Sequence, residues 1–181
     1  DSCSTGLREK SGEFKNNVFG VTLNGCPLDE KISEMHVLKE EGNPLGALAV
    51  IAIDNPLAAA TGHRICNDCM KSCIYQKQEP VNIPQIETRV LTEVLNLPWG
   101  FEIYSLLTRW NPVNVKRPHE LPYNGKNVMV VGMGPAGYTL SQYLLNEGFA
   151  VVGIDGLKLE HVHKDITGYR DRDGKYYPPK P

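Results

Sequence analysis

The chain has 181 residues, 41% of them hydrophobic, enough to bury the core of one ordinary domain or two small ones and an argument against disorder throughout. Lys and Arg number 19 against 21 Asp and Glu, a formal net charge of −2, so no electrostatic footprint argues for nucleic acid or an anionic membrane as the main partner. The longest apolar run, Leu45 to Ile53, falls far short of the roughly 20 residues that span a bilayer. A cytoplasmic protein without a membrane span is the expectation. The polar start "DSCSTGLREKSGEFKNN" has no apolar core of an export signal, and a first residue Asp1 in place of Met fits a processed or truncated chain.

Residues 1–25 show little periodicity and predict an extended lead-in. Asp29 and Glu30 suit a helix start, Ile32, Met35 and Leu38 make its apolar stripe, and Gly42 with Pro44 ends it. Pro44 then fits the first turn of a second helix through "PLGALAVIAI", apolar nearly all round and therefore buried, which "DNP" stops at Asp54. The stretch 57–83 reads as loop and short turns. A helix from about Pro84 to Leu95 carries Ile86, Val90, Leu91, Val94 and Leu95 on one broad face, and "GFEIYSLLTRW" fits another. Residues 111–126, with Pro112, Pro118 and Pro122 and no periodicity, read as a linker.

After the linker the pattern becomes α/β. "NVMVVG" has the apolar continuity of a strand buried on both faces of a parallel sheet, "PAGYTLSQYLLNEG" is an amphipathic helix closed by Gly148, and "FAVVGID" is a second buried strand. Gly132, Gly134 and Gly137 place G-x-G-x-x-G at the junction of strand and helix, with Pro135 and Ala136 in the first helical turn. The first glycine permits a tight turn, the second lets a pyrophosphate approach the backbone, and the third lets helix and strand pack closely. Asp155 closes the second strand, where an acid can take the hydroxyls of an adenosine ribose; this favours FAD or NAD over NADP. The bland alternative is a compact turn that binds nothing. An isolated βαβ unit leaves sheet edges and one face uncovered, so these residues read as the front end of a larger flavoprotein. Residues 156–181 show no strand or helix pattern.

Of the five cysteines, Cys66, Cys69 and Cys73 are spaced C-x2-C-x3-C, and Cys26 precedes Pro27. Four thiolates hold one cubane iron–sulfur cluster, and a tight group with a remote cysteine beside proline is such a layout. Zinc and unmetallated thiols remain open on the residues alone. Cys3 reads as a free thiol in a mobile terminus, while His63, His161 and His163 read as solvated loop histidines. Lys71 and Arg64 stand near the cysteines, where basic groups lower thiolate pKa values.

The succession "CPLDEKISEM", "ALAVIAIDNPLAAATGHRIC", "CMKSC", "EPVNIPQIE", "VMVVGMGPAG" and "GFAVVGID" resembles the small subunit of glutamate synthase and the N-terminal region of dihydropyrimidine dehydrogenase, over roughly residues 24–156. The resemblance implies an α-helical ferredoxin-like domain at 1–110, the linker 111–126, and at 127–181 the first βαβ unit of an α/β Rossmann-type FAD-binding domain. It implies one 4Fe–4S cluster on Cys26, Cys66, Cys69 and Cys73, with Glu87 as an alternative ligand, and FAD at Gly132, Gly134, Pro135, Ala136, Gly137 and Asp155 in the full-length protein. Hydride from NAD(P)H, bound elsewhere, would enter at the flavin and single electrons would leave through the cluster. Implied partners are the remaining FAD/NAD(P)H-binding chain or domains and a partner oxidoreductase subunit.

The departures are as specific. Where the family has a further cysteine group before Cys26, this chain has "NNVFGVTLNG", so one cluster of the usual two is expected. The Cys66–Cys69 loop is short, residues 96–126 look like an insertion, and the later flavin-contacting segments and the nicotinamide domain are missing. No catalytic residue is expected, nor turnover by this chain alone. The rival is a non-catalytic helical docking or assembly module that has lost its cluster or holds a structural zinc.

Overall fold

The computed structural model describes residues 2–62, 65–156 and 163–179. Its first half is helical. Helices α1 (Ser2–Thr5), α2 (Ile32–Glu40), α3 (Pro44–Asp54), α4 (Ala58–Thr61), α5 (Asp68–Lys71), α6 (Ile83–Leu95) and α7 (Gly100–Leu107) follow in chain order. The hydrophobic pattern explains the centre: α3 is apolar on every side and buries Ala47 through Ala52, with α2 and α6 packed against it and α7 against α6. Its start is set by Asn43, whose side chain accepts the Gly46 N–H at 2.8 Å, with Pro44 in the first turn. Asn82 caps α6 in the same way through the Gln85 N–H. Val90 and Val94 of α6, fully buried, join Leu48 and Met35 in the core.

The N-terminal segment is more structured than an extended lead-in. After α1 it reverses twice, with bridges between Arg8 and Phe14 and between Asn16 and Thr22. The ring is closed by N–H donors of Leu7, Lys15 and Leu23 to the carbonyls of Leu23, Leu7 and Lys15, each at 2.8 Å. Such pairing of short irregular segments leaves no hydrophobic period to read.

Strands β1 (Asn127–Val131) and β2 (Ala150–Ile154) pair in parallel, with Asn127 opposite Ala150 and Val131 opposite Ile154, and α8 (Pro135–Asn146) crosses between them. Among the described residues this sheet has two strands. The expectation of strands buried on both faces is corrected: Val130 packs inward, but Met129 and Val131 are 65% and 73% exposed. The apolar residues are those of a sandwiched sheet, whereas among the described residues α8 is the helix packed on the pair. Residues 164–179 form α9 (Lys164–Thr167) and a hairpin of β3 (Tyr169–Arg170) and β4 (Tyr176–Tyr177), tied by stacked Tyr169 and Tyr177 rings 4.9 Å apart. Two-residue strands are too short for alternation to show in the sequence.

Residues 111–126 are stitched down at both ends. The buried Asn111 side chain donates to the Ala49 carbonyl of α3 at 2.7 Å, and the Leu121 and Asn124 N–H groups donate to the Asn146 and Gly148 carbonyls at the end of α8. Helix α8 also touches the helical half directly: Gln142 donates to the Thr108 carbonyl, and the Tyr143 hydroxyl donates to the Asp54 carbonyl at 3.0 Å. No helix among the described residues is long and apolar enough to cross a membrane.

Candidate iron–sulfur site

A cavity of about 180 Å3 opens where the Cys26 loop, the α4–α5 segment, α6 and α8 meet, and Cys26, Cys66, Cys69, Glu30 and Glu87 line it. Each side chain arrives by a different local device. Cys26 follows Gly25, whose φ of +81° suits glycine and whose added Cβ would meet the Ser4 carbonyl oxygen at 2.5 Å. The Cys26 N–H then donates to the Cys3 and Ser4 carbonyls at 2.9 and 3.1 Å. Cys69 sits in the single turn of α5 and is buried; Cys66, before α5, is exposed. The Ser72 hydroxyl, 1% exposed, accepts the Gly25 N–H at 3.0 Å and so couples the two cysteine-bearing segments. Sequence reasoning missed Ser72; a small polar residue inside a cysteine run was its only signal.

Glu87 lies on α6 in helical register with Val90, Leu91 and Val94, a carboxyl on the face the helix buries. Glu30 was legible only as a helix-start acid, yet it reaches the same cavity and shares side-chain hydrogen bonds with Glu87 and Cys26. Burial first, then the charge of Glu30 and its hydrogen bond, push Glu87 up to about 9, so at neutral pH the two acids hold a proton between them. Burial also raises Glu30 and Cys26, and burial followed by the charge of Glu87 pushes Cys69 up to about 12. At the rim Lys31 pairs with Asp54 at 2.7 Å.

The acids give a pH prediction for the iron-free chain. A carboxyl raised from the usual range near 4.3 contributes stability that is complete below that value and is lost as pH rises through about 9. Glu87→Gln should flatten this decline, as read by urea midpoints between those limits; an unchanged slope would remove Glu87 from the buried acid pair.

Cys73 is equally buried but does not line the cavity; it stands near Cys3, whose thiol burial and then Cys73 push up. Cys3, read in sequence as a thiol in a mobile terminus, is part of α1 and half-buried. His63, Arg64 and His161 lie outside the described residues; exposed His163 accepts the Asp165 N–H, and Lys71 pairs with Asp68. Among the described residues no three His, Cys, Asp or Glu side chains close on a single ion; the thiols line a cavity instead of meeting at a point.

At the other end of α8, Gly132 has φ +94°, and a Cβ at Gly137 would fall on the Gly132 carbonyl oxygen, while one at Gly134 meets nothing within 4 Å. Pro135 and Ala136 open α8, and Asp155 accepts the Met133 N–H at 2.5 Å, which ties the end of β2 to the glycine turn.

Three thiols and a buried acid line one cavity, and a tight glycine turn stands at the N-terminus of the helix that borders it. Residues 20–97 match the family model described as dihydropyrimidine dehydrogenase domain II, 4Fe–4S cluster, a stretch that contains Cys26, Cys66, Cys69, Cys73 and Glu87. An uncharacterized protein of Rickettsia prowazekii (strain Madrid E) is 56% identical over 119 residues, covering 64% of this chain and 17% of that protein. The glutamate synthase [NADPH] small chain of Mycobacterium tuberculosis, in strains CDC 1551 / Oshkosh and H37Rv, is 29% identical over 174 residues, covering 88% of this chain and 33% of its own length. The chain therefore spans 17% and 33% of the lengths of these curated relatives.

Proposed function

We propose that the chain is the electron-transfer part of an FAD-dependent, NAD(P)H-linked iron–sulfur oxidoreductase, with one 4Fe–4S cluster on Cys26, Cys66 and Cys69 and with Glu87 as the fourth donor. The observation that carries this is the convergence of those four side chains on one cavity inside the family-matched stretch. The donors suit the group chemically: thiolates are soft ligands that favour iron–sulfur centres, and a buried set of acids whose ionisation is suppressed gains from a multiply charged cation. When bound, the cluster supplies one-electron chemistry. The chain supplies the rest: Cys26 and Cys69 are held by backbone and helix, Pro27, Pro84 and Ile65 wall the cavity, and Ser72 fixes the spacing of the two cysteine segments.

The same reading takes residues 1–110 as an α-helical ferredoxin-like domain, 111–126 as a linker and 127–181 as the opening βαβ of a Rossmann-type FAD domain. Helix α8 supports the pairing of the two cofactors. Its N-terminus meets the glycine turn, and Thr139 and Tyr143 on its side line the cysteine cavity. From Pro135 to Tyr143 the helix advances about 12 Å, so a flavin phosphate and the thiols would share one short rigid element. Flavin, nicotinamide nucleotide and partner oxidoreductase would require the further chain or subunits of the whole protein.

The test is metal analysis of anaerobically purified chain. A brown protein with about four iron and about four acid-labile sulfide per chain is expected. Zinc without sulfide would assign a structural site, and a colourless metal-free chain would leave the docking module, which the exposed apolar sheet face of Met129 and Val131 favours.

A further inference from the structure

A second thiol pair lies away from the cavity. Cys3 is on α1 and Cys73 directly follows the α5 turn and Ser72, and α1 packs on α5. Burial first, and then the nearby Cys73 side chain, push the Cys3 thiol up. The approach is held from both sides by the same backbone segment. The Cys26 N–H donates to the Cys3 carbonyl at 2.9 Å, and the preceding Gly25 N–H donates to the Ser72 hydroxyl at 3.0 Å. Gly25 leaves no room for a side chain against Ser4 and Gly6, so the N-terminal segment sits close against it. Neither thiol lines the cysteine cavity, and all five cysteines are free thiols. Access differs within the pair: Cys73 is 2% exposed, while Cys3 is partly open to solvent.

We propose that Cys3 and Cys73 form a dithiol that a low-molecular-weight disulfide oxidises to an intramolecular disulfide, fastening α1 to the α5 segment behind the cavity. The accessible member reacts first. The Cys3 thiolate attacks one sulfur of glutathione disulfide, a Cys3–glutathione bond forms, and one glutathione leaves as its thiolate. Cys73 then gives up its proton and attacks the Cys3 sulfur; the Cys3–Cys73 bond forms and the second glutathione leaves. Two protein thiols are oxidised, one disulfide is reduced to two thiols, and the protons released by the protein end on the two glutathione molecules. Burial prevents Cys73 from meeting the bulky oxidant itself and assigns it the resolving step. The closed loop runs from residue 3 to residue 73, so the bond constrains the unfolded chain as well as the N-terminal helix. None of this depends on what fills the cavity.

The experiment incubates the chain with excess glutathione disulfide, quenches in acid, alkylates and maps the peptides by mass spectrometry. The expected result is a chain mass lower by two hydrogens, with the Cys3 and Cys73 peptides linked and no glutathione retained. In Cys73→Ser the Cys3–glutathione adduct should persist. A variant with serine at positions 26, 66 and 69 keeps only the pair and should give the same linked peptides, whether or not it binds metal. A lasting adduct on Cys3 in the unaltered chain, a link from Cys73 to Cys69 or Cys66, or a Cys3-linked dimer would each overturn the proposal.

Discussion

Cys69→Ser is expected to abolish iron retention, from about four iron per chain to almost none, whereas Cys73→Ser should leave the iron content unchanged. The contrast follows from where the two thiols point. Cys69 lies in the cavity with Cys26, Cys66 and Glu87, and Cys73 meets Cys3 instead. Burial and the neighbouring Glu87 charge push Cys69 up to about 12, so its thiolate forms only when a bound cation compensates the cost. A serine hydroxyl is nearly the same size but far harder to ionise and a poor soft donor, which removes the ligand with little change in packing. Glu87→Gln should give an intermediate loss, because an amide keeps the shape and surrenders the anionic oxygen. Iron and sulfide are read alongside far-UV circular dichroism. Retained iron in Cys69→Ser, or lost iron in Cys73→Ser with the helical signal intact, would reverse the ligand assignment.

The sequence reading placed Cys73 with the other three thiols on the C-x2-C-x3-C spacing and the family resemblance, in a stretch read as loop and short turns. In the structure α5 ends at Lys71, and Cys73 follows it outside the cavity lining. Such a stop depends on tertiary contacts, here the Gly25 N–H to Ser72 bond, which no local pattern encodes. Long periodic segments fared differently. Helix α3 is buried all round as its composition demands, α6 spans Ile83–Leu95, and β1, α8 and β2 follow the change of period after residue 126. Glu87 entered the sequence reading only through the family resemblance; the structure puts it in register with Val90, Leu91 and Val94, where a carboxyl is costly without a partner. Glu30 stayed hidden for a different reason. An acid near a helix start is already accounted for by the helix dipole, so its second role at the cavity left no trace in the sequence.

The glycine turn separates a role in folding from a role in binding, and two substitutions should divide them. Gly137→Ala would drive a methyl group into the Gly132 carbonyl, forcing α8 away from β1, and is expected to cost about 3 kcal/mol or more by the standards of overpacked interiors. The βαβ unit should lose its structure first, since α8 is the helix that packs on its two strands. Gly134→Val meets open space, and at φ −71° the backbone suits any residue, so the urea midpoint of the chain should barely move. Its effect should appear where the phosphate would approach: flavin content of the longer protein is expected to fall sharply, because the side chain occupies the path to the N–H groups at the start of α8. If Gly134→Val destabilised the chain as much as Gly137→Ala, the second glycine would serve the turn itself. Undiminished flavin in a stable Gly134→Val protein would likewise place the nucleotide elsewhere. The two variants differ by a clash that the fold contains and a clash that only a bound dinucleotide can create, so stability and flavin content must move independently if the turn is a phosphate cradle.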